Sequence, residues 1–441
     1  MFEVGPLLII GAALVLSFGG AALMKRVGIP QILGFMLAGV FLALTGVFTD
    51  EMRNSLFPVV DLALGLIGYN IGLEIRKDVF SGRKRQMGTI LILESILTFV
   101  IVSLLALWIT GLPHLAIVFG AVASATDPAS TVMVIWERHC KGPLTDTLMF
   151  VLALDDVVAI ILANISISLA VIFYTIPSTL TIFDALLITA LDLILSVIVG
   201  ALAGFGMVQF INAEKDRNRL LELELGAIIL IVGIMNFFEI NAILTCMVFG
   251  YVVGNWIRPE KDPINHTLTT IMAPIVMIFF VFVGASIDLS VLLLPAVLFL
   301  AIAYVVGRSF AKYFGAYTGA RMTNTPELTT KYLGLCLMSQ AGVAVGLTLV
   351  VEQSFLALNS PEATAAGILI LNVVALTTMI LQVFGPISAQ IALQRAGETP
   401  ADFATRPTDA CFKDETIPTE AAANPASNTG VPETDPKDGT S

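Results

Sequence analysis

The sequence has little of what builds catalytic and metal centres in soluble proteins. Its 441 residues include only four cysteines, three histidines and three tryptophans, and charged residues make up 13%, against roughly 25% in an average soluble domain. The cysteines, at 140, 246, 336 and 411, form no CxxC pair and imply no disulfide framework or zinc site. His114, His139 and His266 stand apart, at expected loops or helix ends, so no metal cluster and no cofactor is expected; His139 remains a candidate pH sensor. No nucleic-acid partner is expected either. The N-terminus lacks a basic stretch before its first apolar run, and its positive charge, Lys25 and Arg26, follows that run; this predicts a first membrane helix entering from outside rather than a cleaved signal peptide.

Hydrocarbon is what the chain has in abundance. Apolar residues make up 57%, and runs long enough to cross a bilayer, about 20 residues each, recur along it. About 13 such runs are expected, near 4–24, 31–48, 57–75, 88–110, 114–137, 145–174, 183–211, 220–238, 241–257, 267–287, 290–318, 329–351 and 363–393. The expected fold is all-α and polytopic. Lys and Arg provide an independent check, because they gather in cytoplasmic loops. Of the 23, seventeen follow odd-numbered runs, one (Arg53) follows an even-numbered run, two lie inside the eleventh run and three lie beyond residue 396. That partition predicts an N-terminus outside and a C-terminus in the cytoplasm. Residues 397–441 carry nine acids, three bases and six prolines, supplying −6 of the net charge of −11. Such a composition cannot bury a core, so 396–441 is expected to be a disordered cytoplasmic tail behind a membrane domain of residues 1–395.

Two runs are interrupted by polar residues. The fifth contains "SATDPAST", where Pro128 follows Thr126 and Asp127; the twelfth contains "MSQAGVAVG", with Gln340, Gly342 and Gly346. The runs are an odd number apart and so cross in opposite directions. Broken helices at corresponding positions of two halves are the mark of inverted-repeat transporters, with the substrate site between them. Glycine and proline also occur as simple kinks in membrane helices, but polar residues accompany both breaks here.

The sixth run, "MFVLALDDVVAIILANI", holds Asp155 and Asp156 in mid-membrane. Each costs about 2.5–3.5 kcal/mol on insertion scales, so the pair needs a reason. Neighbours on a helix point about 100° apart, which suggests separate tasks, one acid facing a water-filled passage and the other a partner charge. Candidate partners are Arg308 and Lys312, four residues apart on one face of the eleventh run. A guanidinium keeps its charge, whereas an ammonium can trade a proton. A buried carboxylate has two neutral states, protonated or ionised with a bound cation, and these exclude each other. One such acid with alternating access would exchange cation for proton without further coupling. Asp127 is a candidate cap, or a compensating charge for converging helix N-termini. Glu94 is a candidate for the ion-pair network, Asp192 a weaker one, and Asp61, Glu74, Glu222, Glu224 and Glu239 are expected near the interfaces.

"TDP" in the fifth run, "LDD" in the sixth, a basic residue in the eleventh and "SQAGVAVG" in the twelfth resemble the monovalent cation:proton antiporters of the NapA/NhaA and NhaP type. "FFVFVGASIDL" resembles that family's tenth span, and the likeness covers essentially residues 1–395. It implies a Na+ (or Li+)/H+ antiporter with Asp156 as the main cation and proton ligand and Asp155 paired to the basic residue. Thr126 and Asp127 would stand at the helix crossover. The fold it implies is a homodimer whose core, about 88–174 and 290–393, moves like an elevator against a dimerisation scaffold, in a bacterial or archaeal inner membrane. Two branches of the family are mixed here: "TDP" and "RSFAKY", with Arg308, resemble electroneutral members, while "DD" and "KYFGAYTGAR", with Lys312, resemble electrogenic ones. K+ in place of Na+ is the nearest alternative. A cation channel, and more remotely an aspartyl hydrolase, are the readings from other classes.

Overall fold

The computed structural model describes residues 5–27, 30–46, 48, 50–75, 84–174, 182–213, 217–238, 240–257, 263–292 and 294–399. All regular structure among them is helical, the arrangement in which every backbone amide in hydrocarbon is satisfied within its own segment. The elements are α1 (Pro6–Val27), α2 (Gln31–Leu44), α3 (Asp50–Glu74), α4 (Lys84–Thr110), α5 (Pro113–Ser124), α6 (Pro128–Glu137), α7 (Pro143–Tyr174) and α8 (Ile182–Ala213). They continue with α9 (Arg217–Phe237), α10 (Ala242–Trp256), α11 (Pro263–Ala285), α12 (Leu289–Leu292), α13 (Pro295–Met322), α14 (Glu327–Tyr332), α15 (Gly342–Leu356) and α16 (Pro361–Arg395). Among the described residues nine helices are long and apolar enough to cross a membrane, counting α5 and α6 as one. There are ten when the pair Glu327–Leu337 and Gly342–Leu356, bent by 46°, is taken as one crossing, and three shorter apolar helices accompany them. This is a multi-pass integral membrane protein.

Two sets of helices pack mainly among themselves. In one, α2 lies along α1 and α11, and α3 along α10, which also contacts α8 and α9. In the other, α4 lies along α13 and α5, α5 along α7, and α15 along α16. Apolar burial gives little drive for helix association in lipid, so close packing of backbones matters more. At two crossings glycine makes it possible: a Cβ on Gly39 of α2 would collide with the Val281 carbonyl of α11, and one on Gly72 of α3 with the Met247 carbonyl of α10.

Both polar interruptions are breaks in the helices. Pro128 opens α6 as its first residue, a position where a missing amide proton costs nothing. A 3-10 turn, Leu333–Leu337, follows α14, and the chain is non-helical until α15 starts at Gly342. Gly346, expected at the interruption, instead lies one turn inside α15, where lack of a side chain accommodates Leu64 of α3.

Four residues that composition assigns to the tail are ordered. Residues 396–399 are folded against the start of α7. Gly397 takes φ +70°, and Glu398, almost fully buried, accepts hydrogen bonds from the Leu144 amide (2.7 Å), the Thr145 amide (2.8 Å) and the Thr145 hydroxyl (2.7 Å). A helix N-terminus leaves amides without partners, and a carboxylate there also meets the positive end of the dipole. Composition averaged over 45 residues hides that single contact. Residues 400–441, including Cys411, lie outside the described residues.

Candidate functional site

The two breaks cross each other in the second helix set. The Asp127 amide donates to the Ser339 carbonyl (3.1 Å), and the Ser339 hydroxyl donates to the Asp127 carbonyl (3.1 Å), so each break supplies partners the other lacks. The first halves, α5 and the 3-10 turn, end here with carbonyls that helical bonding cannot satisfy. Arg308 of α13 fills that gap. Its Nε donates to Ala123 O (3.0 Å), Nη1 to Met338 O (2.7 Å), and Nη2 to Ala125 O (2.7 Å) and Ser339 O (3.1 Å). A planar fork of donors suits four converging carbonyls, and its positive charge meets the negative ends of both half-helices.

The second halves begin at the same crossing with the opposite polarity. Asp127 Oδ2 accepts from the Ser130 amide of α6 (3.3 Å) and from Gln382 Nε2 of α16 (2.8 Å). Gln382 also donates to the Gln340 carbonyl (2.9 Å), and Gln340 Nε2 donates to Val122 O (3.0 Å) and to the Tyr304 hydroxyl (2.9 Å). Asp127 thus caps α6 and lies beside the N-terminus of α15. Capping and charge compensation fall to one carboxylate.

One turn along α13 from Arg308, Lys312 is completely buried, its Nζ 2.9 Å from Asp155 Oδ2 and 2.8 Å from Glu94 Oε2 of α4. The Ser95 hydroxyl lies 3.0 Å from Asp155 Oδ1 and 3.2 Å from Glu94 Oε1, bridging the two acids on the side away from the lysine. The two basic residues therefore divide the work: Lys312 contacts Asp155, and the Arg308 guanidinium is taken up by backbone carbonyls. Asp192, on α8, is half-buried and has no ion-pair partner among the described residues.

Asp156, next in the chain, is equally buried but differently placed. Among the described residues neither of its carboxylate oxygens has a hydrogen-bond partner, while the Thr126 hydroxyl, which makes no well-formed hydrogen bond, lies beside the Asp155 carboxylate. Both residues line a cavity of about 400 Å³ together with Asp127, Asn70 and Glu74 of α3, and Phe280 of α11. The cavity lies where the two helix sets meet, at the end of the molecule where α3 finishes and α2 and α11 begin. Buried polar atoms are almost always paired, so the two unpaired Asp156 oxygens beside this cavity make it the candidate site for a cation or a proton.

A second cluster spans the opposite end of the same seam. Arg53 Nη2 of α3 lies 2.5 Å from Glu352 Oε1 of α15, with the guanidinium carbon 5.9 Å from the centre of the Phe282 ring. Phe48 and Phe57 pack on Phe282 at 5.7 and 5.5 Å. Next along α15, Gln353 donates to Asp61 of α3 (3.4 Å), whose other oxygen accepts from Asn236 (2.8 Å).

Several participants escape sequence reasoning. Ser95, Tyr304 and Gln382 lie in apolar runs where one polar residue reads as a tolerated exception, and Glu352 falls just past the end of the twelfth run, where an acid reads as interfacial; the depth of Gln382 inside the thirteenth run is the one signal that could have flagged it. Glu74, expected at the interface, lines the cavity, and Glu224 is fully buried and accepts a hydrogen bond from Tyr69. Glu239 and the side chain of His266 lie outside the described residues.

Residues 12–390 match the family model described as sodium/hydrogen exchanger, transmembrane. The chain is 23% identical over 265 residues to a K(+)/H(+) antiporter NhaP of Alkalimonas amylolytica, covering 58% of this chain and only 44% of that protein's length. It is 24% identical over 315 residues to a probable Na(+)/H(+) antiporter 2 of Methanocaldococcus jannaschii, covering 65% of this chain and 71% of that one. Its fold is similar to the structure of the sodium proton antiporter MjNhaP1 from Methanocaldococcus jannaschii at pH 8, with a TM-score of 0.73 at 17% identity over 89% of this chain and 98% of that one. An electron-microscopy structure of the same antiporter matches with a TM-score of 0.68 at 16% identity, over 92% and 98%. With the family model running from the middle of α1 to near the end of α16, the chain belongs to the sodium/hydrogen exchanger family.

Proposed function

We propose that this protein is a secondary active antiporter that exchanges Na+, and Li+ with it, for protons by alternating access, with cation and proton competing for Asp156. The observation that carries the reading is the contrast between neighbours: Asp155 is neutralised by Lys312, whereas Asp156 is buried, unpartnered and open to the cavity. An isolated buried carboxylate is stable only when it takes up a proton or a cation, and it cannot hold both on the same oxygens. Thr126 and Asp127 would complete the ligand set with the Asp156 oxygens.

Alternating access is supported by the cavity being open at one end of the seam and blocked at the other by the Arg53–Glu352 pair on its phenylalanine bed. The open end is the one where the basic loops gather, so we assign it to the cytoplasm, with the N-terminus outside, the C-terminus inside and thirteen crossings once the three shorter helices are included. The set built on α4–α7 and α13–α16 would be the elevator, and α1–α3 with α8–α11 the scaffold and homodimer side. A bacterial or archaeal inner membrane fits such a protein. A conducting pore is disfavoured by the blocked end. K+ is the second reading, favoured by the K(+)/H(+) antiporter among the relatives.

The test is exchange in proteoliposomes. Addition of Na+ or Li+ should dissipate a preformed pH gradient, and failure of every alkali cation to do so would sink the reading. K+ acting in place of Na+ selects the second reading, and a response of the rate to an imposed membrane potential counts protons per cation.

A further inference from the structure

The transport site uses only one face of α13. Arg308 and Lys312 lie on it, and Gly315 and Gly319 press that face against α4, where a Cβ on either would strike the backbone of Glu94 or Ile90. The other face carries a second pattern. Phe299, Ile302, Val306, Phe310 and Phe314 recur at intervals of three or four residues and are each 44–63% exposed, a continuous apolar stripe for lipid. Phe310 and Phe314 stack at 5.6 Å with their planes 8° apart.

The stripe runs into a cavity. At the end of α13 a hollow of about 600 Å³ is formed by the last turns of α13 and by α14, and Phe314 is both the last residue of the stripe and part of its wall. Around Phe314 the lining changes from apolar to polar: Tyr313 and Tyr317, stacked at 6.3 Å, on either side of it, then Arg321 and, from α14, Lys331. Arg321 donates to the Tyr317 hydroxyl (2.9 Å), which aims the guanidinium along the wall. Among the described residues neither Arg321 nor Lys331 has an ion-pair partner, although Glu327 lines the same hollow. Two cations against one acid leave the cavity positively charged.

We propose that this hollow binds an anionic phospholipid, with the phosphate between Arg321 and Lys331 and an acyl chain laid along the stacked phenylalanines. Charge alone would fit any soluble phosphate. The continuity of the hollow with a lipid-facing stripe selects an amphiphile, since only a molecule with both ends covers the aromatic ladder and the cations together. Tyrosines at the point where the stripe turns polar match the level of a bilayer interface. Because the same helix holds Arg308 and Lys312, a lipid seated here would steady the helix that neutralises the crossing and Asp155.

Native mass spectrometry of the full chain in detergent, titrated with phosphatidylglycerol or phosphatidylcholine, tests this. The wild-type protein should retain phosphatidylglycerol in preference to phosphatidylcholine. Arg321→Gln and Lys331→Gln should each weaken that retention about fivefold, and about 25-fold together, as expected for cations near an anionic headgroup. Arg321→Lys should restore most of it, and Lys25→Gln with Arg26→Gln, at the exposed end of α1, should leave it unchanged. Glycerol phosphate, the soluble headgroup, should not compete. Equal retention by the double variant, no preference over phosphatidylcholine, or displacement by glycerol phosphate would each overturn the proposal.

Discussion

Lys312 Nζ stands 2.9 Å from Asp155 Oδ2 while the next carboxylate in the chain, Asp156, has no partner on either oxygen among the described residues. The 100° or so between successive helical residues produces this division. One rotation step carries the second acid away from α13 and α4 and into the seam where the two helix sets meet. Two aspartates adjacent in sequence therefore have two unlike environments, and each makes a distinct prediction.

Replacing Asp156 by Asn should abolish cation-dependent dissipation of a pH gradient in proteoliposomes. It should not lower the melting temperature in detergent, because the amide removes an unpaired buried charge and breaks no contact with Asp155 or Lys312. Retained exchange would remove Asp156 from the site, and a large loss of stability would show it to be structural.

Lys312→Ala should be costly to stability as well as to exchange. It leaves Glu94 and Asp155 facing each other in a fully buried space, and loss of one partner from a buried pair typically costs about 3–5 kcal/mol. Adding Asp155→Asn to Lys312→Ala should return part of the loss in a thermal melt. No recovery in the double variant would mean that the lysine is held chiefly by Glu94.

Arg308 should behave differently, since its partners are carbonyls. Arg308→Lys keeps the charge but offers one ammonium in place of a fork that reaches Ala123, Ala125, Met338 and Ser339. Each buried polar group left without a partner costs about 1–3 kcal/mol, so even this conservative change should lower the melting temperature markedly. A variant as stable as wild type would show that water can replace the guanidinium.

Much of this arrangement is legible in the sequence, for identifiable reasons. A charged or helix-breaking residue in a 20-residue apolar run stands out, so Asp155, Asp156, Asp127, Pro128, Arg308 and Lys312 can all be singled out, and the four-residue spacing of the last two places them on one face. What sequence cannot supply is pairing across the fold. Which cation meets Asp155 depends on the height of α13 against α7, and Glu94 joins Lys312 only because Gly315 allows α4 to approach α13. Single polar residues such as Gln382 and Ser95 are overlooked because one such residue scarcely alters a window average, and Glu352 because it stands at the edge of a run. Glu398 is overlooked for the opposite reason, being one ordered contact at the edge of a stretch whose average is acidic and proline-rich.

Glu398→Ala should cost about 1–2 kcal/mol, the range for losing a side chain that satisfies helix N-terminal amides. It should shift the thermal midpoint without abolishing exchange, since the contact lies at the start of α7, two to three turns before Asp155. An unchanged midpoint would show that the amides of Leu144 and Thr145 are equally well satisfied by solvent.

The Arg53–Glu352 pair should set the balance between the two access states. It joins α3 to α15, one from each helix set, at the end of the seam away from the cavity, so the core cannot open there without separating it. Arg53 is partly exposed, so the pair is worth about 1 kcal/mol rather than the value for a fully buried bridge, which is about fivefold in the ratio of states. A cysteine at Val343 in the cavity, introduced together with Cys411→Ser, provides the readout, because Cys140, Cys246 and Cys336 are buried. A membrane-impermeant thiol reagent applied from the side of Arg53 should label Val343→Cys slowly in the wild-type background and several-fold faster with Arg53→Ala or Glu352→Gln. The exchanged pair, Arg53→Glu with Glu352→Arg, should slow it again. Equal labelling in all four backgrounds would mean that the phenylalanines around Phe282 close that end unaided.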